Sequence, residues 1–478
     1  MNQRRAPLFE ALKRYRRKNR AGLHVPAHGQ GRALPRALRA LGGALVELDL
    51  TELPGLDDLH RPAGPIARSQ ALAAALYGAD RSFFLVNGST VGIQALLLAV
   101  LKPGDKILMP RHVHRSIING LILCGAKPVY LPPVRDNDFG IPLGPKPADV
   151  IAALEAHPGV KALLAVHPNY YGVGGLSPEM VAAAHSRGIP VIVDEAHGAH
   201  LPFAEDLPEP ALACGADACV QSTHKLGGAF TQASLLHLKG SRVPAGRVQN
   251  ALSCLQTTSP SYLLMASLDV ARRQLALRGP RMVRRALGLA QRARDNLCAF
   301  RRVEVLTPEY LPPWVPGYDG TKLTVSLREA GLSGHQTARL LHREYGVQVE
   351  MADAGNIVAV VGIGTASREV WRFVKAVTHL AAKNKANALD LPPEAPVPPQ
   401  VLTPRQSWLA ASRSVPLRDA AGYVAAETVS ITPPGTPVLF PGEKIIPEMV
   451  EYINEMRRRN IPLHASDPSL ETLRVVDG

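Results

Sequence analysis

Ser222-Thr223-His224-Lys225-Leu226-Gly227-Gly228 is the stretch that decides how this chain of 478 residues reads. It follows Ala216-Asp217-Ala218-Cys219-Val220-Gln221, a short run whose apolar residues predict a buried strand. Lysines are almost never buried without a partner, so a lysine at a strand's mouth, beside two hydroxyls and an imidazole, is poorly placed for core packing. It is well placed for covalent chemistry. An amine condenses with an aldehyde, and neighbouring hydroxyls hold a phosphate, which points to a Schiff base with pyridoxal phosphate. Alone, the segment reads more often as a polar turn carrying a surface lysine, and other residues must decide.

Working outward, Val191-Ile192-Val193 is a β-branched run ending in Asp194-Glu195-Ala196-His197-Gly198-Ala199-His200. Pyridoxal phosphate acts as an electron sink only while its ring nitrogen stays protonated, which calls for a carboxylate against that nitrogen. Asp194, at a strand's carboxyl end upstream of Lys225, suits the role; a strand-end Asp is otherwise a turn former or helix cap. Glu195, His197 and His200 either line the same site or are ordinary satisfied polar residues near it.

A phosphate needs its own cradle. Ser82-Phe83-Phe84-Leu85-Val86 predicts a strand, and Asn87-Gly88-Ser89-Thr90 opens a helix carrying Ile93, Leu96, Leu97 and Val100. Free N–H groups, two hydroxyls and the positive end of the helix dipole suit a dianion there; the alternative is a plain N-cap. A fourth segment, Arg111-His112-Val113-His114-Arg115-Ser116, follows the apolar Lys106-Ile107-Leu108-Met109. His114 reads either as a ring stacked on the cofactor or as a helix-start residue.

These motifs, taken with Leu53-Pro54-Gly55-Leu56-Asp57-Asp58-Leu59-His60 and Gln256-Thr257-Thr258-Ser259-Pro260-Ser261-Tyr262, resemble the ornithine/lysine/arginine decarboxylase family of fold-type I, aspartate aminotransferase-like enzymes. The resemblance spans nearly the whole chain, from His24–His28 to Pro441-Gly442-Glu443. It implies an α/β fold with a mostly parallel central sheet flanked by helices, with smaller C-terminal α/β domains. It implies pyridoxal phosphate bound to Lys225, Asp194 on the ring nitrogen, and His114 on the ring face. Gly88, Ser89, Thr90, Ala196, His197, Ser222 and His224 complete the implied cofactor site, with Thr258 and Ser259 reaching it from a neighbouring subunit. The implied reaction is decarboxylation of a basic amino acid, with arginine first, as in the small biosynthetic arginine decarboxylases, then lysine and ornithine. Either Lys225 or His224 donates the proton that replaces CO2. Another fold-type I chemistry, transamination or aldol cleavage, or a non-catalytic regulator that binds the cofactor, is the more remote reading.

The chain departs from the family pattern at Pro26-Ala27-His28-Gly29, at Arg111-His112-Val113-His114 and at Thr432-Pro433-Pro434-Gly435. None of these touches Lys225 or Asp194, so the departures bear on substrate and not on cofactor. A cationic substrate end calls for a carboxylate. The candidates are Asp57, Glu427 and Glu443, with His28 as a further substrate-side residue; no metal is expected.

Composition sets outer limits. With 46% hydrophobic and 20% charged residues, and no apolar run of about 18, the chain predicts a globular protein outside the membrane. The net charge of +14 is spread over arginines at 14–20, 281–294 and 457–459 without an aromatic platform, which argues against nucleic-acid binding. Five scattered cysteines with no Cys-x-x-Cys predict a reducing, cytoplasmic setting. The predicted organisation is an N-terminal arm (1–65) with a docking helix, a large cofactor domain (66–290), a small α/β domain (291–385), a Pro-rich linker (386–405) and a C-terminal domain (406–478). Strands are predicted at 83–87, 106–110, 127–131, 161–166, 190–194, 217–222 and 233–238, and further on near 303–306, 322–327 and 356–361. A dimer or tetramer with shared sites is expected.

Overall fold

The structure, a computed structural model, describes residues 1–17, 22–384, 386–432 and 435–477. The end of the arginine-rich stretch, at 18–20, and the Pro433-Pro434 pair lie outside the described residues. In chain order come α1 (Pro7–Arg17), α2 (Arg36–Val46), α3 (Pro65–Tyr77), β1 (Arg81–Leu85), α4 (Gly88–Val100), β2 (Lys106–Met109), α5 (Arg115–Cys124) and β3 (Lys127–Tyr130). Next are α6 (Pro147–Ala156), β4 (Val160–Val166), α7 (Pro178–His185), β5 (Val191–Asp194), β6 (Ala218–Gln221), α8 (Thr223–Leu226), β7 (Ser234–Leu238), α9 (Ala245–Leu255) and α10 (Tyr262–Cys298). The strands predicted from apolar runs at 83–238 all form, which is what continuous β-branched and aliphatic runs demand when both faces of a strand are covered. Helix α10 runs unbroken from Tyr262 to Cys298 and accommodates Pro280 within it.

The chain divides into two compact units, 1–100 with 190–205 and 209–283, and 101–189 with 206–208 and 284–478. In the first unit the strand order is β1-β7-β6-β5. β5 and β6 run parallel, in a register that sets Asp194 against Val220, while β7 is antiparallel to both β6 and β1. Helix α4 lies directly on this layer. A Cβ at Gly92 would sit 2.7 Å from Leu85 Cδ1 and 2.8 Å from Val220 Cγ1. Val220 is stiff at χ1, so only glycine lets the helix approach this closely. The N-terminal helix α1 docks through Leu8 and Leu12, neither with any exposed surface, and through backbone N–H groups of Leu8 and Phe9 on Asp269.

In the second unit β4, β2 and β3 are parallel neighbours in that order. A second layer follows, built from β8 (Glu304–Val305), β9 (Lys322–Ser326), α11 (Gly334–Tyr345), β10 (Met351–Ala352), β11 (Asn356–Val360) and α12 (Ser367–Lys383). Its antiparallel sheet has the order β10-β11-β9-β8, and Leu323, Val325, Ile357, Val374 and Val377 fill the core beneath it. The C-terminal part holds α13 (Pro404–Leu409), β12 (Ser412–Pro416), β13 (Val429–Ile431), β14 (Thr436–Leu439), α14 (Pro447–Arg458), β15 (Leu463–His464) and β16 (Thr472–Val476). Its strands form two small antiparallel sheets, β12-β16 and β14-β13-β15, around Val429, Leu439, Met449, Ile453 and Val475. Among the described residues no helix is long and apolar enough to cross a membrane.

Candidate active site

Asp194 is the last residue of β5, and Lys225 lies four residues past the end of β6, its parallel neighbour. Adjacent strands are about 4.8 Å apart, so both functional groups arise from one edge of the first unit's sheet, where open α/β sheets bind ligands. The turn after β5 closes on α8: Lys225 Nζ lies 2.9 Å from His197 Nε2. Asp194 is only 6% exposed, and its Oδ1 accepts from the Ala196 N–H at 3.1 Å, which fixes the carboxylate.

The phosphate-side residues meet in the same unit. Ser222 Oγ and Ser89 Oγ are 2.9 Å apart, so the residue that precedes α8 touches the first turn of α4. Gly88 takes a positive φ of 74° at the head of that helix, and its N–H is tied to the Gln232 carbonyl at 2.9 Å. His224 faces the Ala233 carbonyl through Nδ1 at 3.1 Å. Burial lowers the His224 pKa and the positive charge of Lys225 lowers it further, against the Ala233 hydrogen bond. Thr258 and Ser259 are exposed, on a segment anchored by His60 Nε2 to the Thr257 carbonyl at 2.9 Å.

These residues fit pyridoxal phosphate. The donor set combines one amine, one fixed carboxylate, two touching hydroxyls and a helix N-terminus, matching an aldehyde, a ring nitrogen and a dianion. The buried Thr223 Oγ1, beside the lysine, has no hydrogen-bond partner within the protein, a further polar group for a ligand to satisfy. Among the described residues no cluster of three or more His, Cys, Asp or Glu is arranged to hold a metal ion.

Behind Asp194 runs a buried polar chain whose members are far apart in sequence. Glu195, fully buried, accepts from the Ala211 N–H and from Gln221 Nε2, both at 2.7 Å. Gln221 Oε1 meets His237 Nε2 at 3.3 Å, and His237 Nδ1 meets Ser82 Oγ at 2.6 Å. Burial pushes the Glu195 carboxyl up to about 7 despite these hydrogen bonds, and burial alone takes His237 down to about 3.

The remaining expected residues are placed as follows. His114, in the second unit, is the N-cap of α5: its Nδ1 accepts from the Ser116 N–H at 3.2 Å and meets Ser116 Oγ at 2.8 Å. His28 bonds Asp49 at 3.2 Å. Asp57 spends both carboxylate oxygens on backbone: Oδ1 takes the Ala63 N–H, and Oδ2 takes Gly64, Ile66 and Ala67 at 2.6–3.3 Å, capping α3 from a distance. Glu427 ties Ser466 and Arg474 N–H groups at 2.5 and 2.6 Å. Glu443 has no exposed surface. It grips Arg111 with both oxygens, at 2.5 and 3.0 Å, and also takes the Phe440 N–H.

Comparison with known proteins bears on the family and the fold. Residues 6–317 match the Orn/Lys/Arg decarboxylase major domain, and residues 394–462 match the C-terminal domain of that family. An arginine decarboxylase of Halalkalibacterium halodurans is 38% identical over 99% of this chain and 98% of its own length. One from Bacillus subtilis is also 38% identical, over 100% and 99%. Among solved structures, a lysine decarboxylase from Francisella novicida superposes with a TM-score of 0.82 at 18% identity, covering 99% of this chain and 81% of that one, a likeness of fold.

Proposed function

The chain belongs to the Orn/Lys/Arg decarboxylase family, and from that premise we propose that it removes CO2 from L-arginine and releases agmatine, using pyridoxal phosphate held by Lys225. The observation that carries this reading is the pairing of Asp194 and Lys225 at the carboxyl ends of neighbouring parallel strands. Bound there, pyridoxal phosphate supplies the sink for the electron pair left when the bond to the carboxylate breaks.

The chain's own residues do the rest. Asp194 keeps a negative charge beside the ring nitrogen and so favours a proton on it. Ser89, Thr90 and Ser222, with the first N–H groups of α4, take the phosphate. Thr258 and Ser259 reach the site of a second copy, which makes the working form a dimer or a tetramer. Groups that meet the substrate carboxylate must hold it less firmly than they hold the transition state, since only that difference accelerates the reaction. Asp57, Glu427 and Glu443 each have both oxygens on donors of their own chain. We therefore assign them to the scaffold, and the substrate's cation is read by a carboxylate outside that set. A reducing, cytoplasmic setting fits five cysteines that are all free.

Arginine is favoured over lysine and ornithine by the two full-length arginine decarboxylase relatives. The test is separate incubation of the loaded protein with arginine, lysine and ornithine, identifying each amine by mass. Agmatine should form fastest. Preferential cadaverine or putrescine would overturn the substrate, and a keto acid without CO2 would overturn the reaction.

A further inference from the structure

Two groups in this site compete for the role of acid, and their hydrogen bonds separate them. The Ala233 carbonyl only accepts, so His224 Nδ1 carries the hydrogen between them. In the neutral ring Nε2 is then a bare lone pair, and burial of His224 favours that form. In it His224 has no free proton to give. Lys225 is wired the other way. A protonated Nζ has three donors and no acceptor, and in that form it donates across the 2.9 Å contact to His197 Nε2.

We propose that His197 is the positioning residue of the reaction: by accepting from Nζ it keeps the Lys225 amine protonated and aimed, so that Lys225, and not His224, delivers the proton that replaces CO2. The inference rests on the decarboxylation reading above. In the step itself an N–H bond of Nζ breaks and its electron pair stays on nitrogen. The proton joins the substrate α-carbon, using the pair that the departing carboxylate left there. No further reactant is needed.

A hydrogen bond accepted from the charged form of a group raises its pKa. For a charged donor that is partly solvated, the effect is about one unit. The other titratable groups on the elements that carry the pair are Asp194, Glu195 and His200 on the turn after β5, and His224 on α8. Asp194 Oδ1 is on the Ala196 N–H, and Glu195 faces Ala211 and Gln221, so a change at 197 leaves these bonds in place.

The test uses the full-length chain freed of cofactor. Competitive acetylation by acetic anhydride, read on the Lys225 peptide by mass spectrometry across the alkaline range, gives the midpoint of that one amine. His197→Leu, which removes the acceptor, should lower the midpoint by about one unit. His197→Gln, which keeps an acceptor at similar reach, should leave it at the wild-type value. A space-filling role for His197 would move neither, and an unchanged midpoint in a folded His197→Leu protein overturns the proposal. Turnover in heavy water reads the donor directly. His224→Gln should still place deuterium in a single configuration at the α-carbon, whereas His197→Leu should give a mixture; the reverse pattern overturns the proposal. Acetylation does not depend on turnover, so a chain that proved not to decarboxylate arginine would still report on the Lys225–His197 contact.

Discussion

Glu443→Leu is the substitution whose cost the structure allows to be worked out most fully. The Arg111–Glu443 pair is almost completely enclosed, with side chains 6% and 0% exposed. The carboxylate satisfies two guanidinium nitrogens and the Phe440 N–H. Without it, Arg111 keeps only the Val438 carbonyl at 3.1 Å and the faces of Phe440 and Tyr130, whose centroids lie 4.5 and 5.2 Å from the guanidinium carbon. Breaking one side of such a pair costs about 3–5 kcal/mol, because an uncompensated charge is left buried. Removing both partners costs far less, so Arg111→Met combined with Glu443→Leu should recover most of the loss. A chain of two units is a poor subject for a single unfolding free energy, so the assay is native-state hydrogen exchange on the peptide carrying Phe440. Its opening should accelerate by about two to three and a half orders of magnitude in Glu443→Leu and return close to the wild-type rate in the double variant. Acceleration of less than about tenfold, or a double variant as labile as the single one, would refute the reasoning.

The remaining expectations are simpler. Because burial raises the Glu195 carboxyl to about 7, above its usual value near 4.5, its contribution to stability is fully present below about pH 4.5 and is lost as pH rises through 7. Glu195→Gln should remove that dependence, worth about 3 kcal/mol at the alkaline end; parallel melting-temperature profiles of the two proteins from pH 4.5 to 8 would contradict it. Asp57→Ala strips the cap from α3 and should cost about 1–2 kcal/mol, read as faster exchange of the Gly64, Ile66 and Ala67 amides. Unchanged protection of those amides would show that water replaces the carboxylate without loss.

What the chain reveals before folding follows from how far apart its partners are. The strands from β1 to β7 were legible because a strand covered on both faces must be a continuous apolar run, and Val191–Asp194 and Ala218–Gln221 are such runs. The C-terminal strands are two to five residues long, too short for a period to show, and only motifs marked that region. Lys225 and Asp194 stood out because amine chemistry and ring-nitrogen chemistry each require one specific kind of group at a strand's end. His197 was visible as a histidine near the site, but its contact with Nζ depends on how the turn after β5 closes on α8. The partner of Glu443 was out of reach for a similar reason: Arg111 is 332 positions away, and only the folded chain brings them together. The cap that Asp57 makes on α3 was hidden too, since nothing in a single sequence tells which backbone N–H groups a side chain reaches across several residues.

The most direct test is to locate the cofactor's attachment. The full-length protein loaded with pyridoxal phosphate should be reduced with borohydride, digested and mapped by mass spectrometry. The phosphopyridoxyl group should be on Lys225, and Lys225→Ala should carry none. Stoichiometric labelling at a different lysine, or unchanged labelling in Lys225→Ala, would contradict the account at its base.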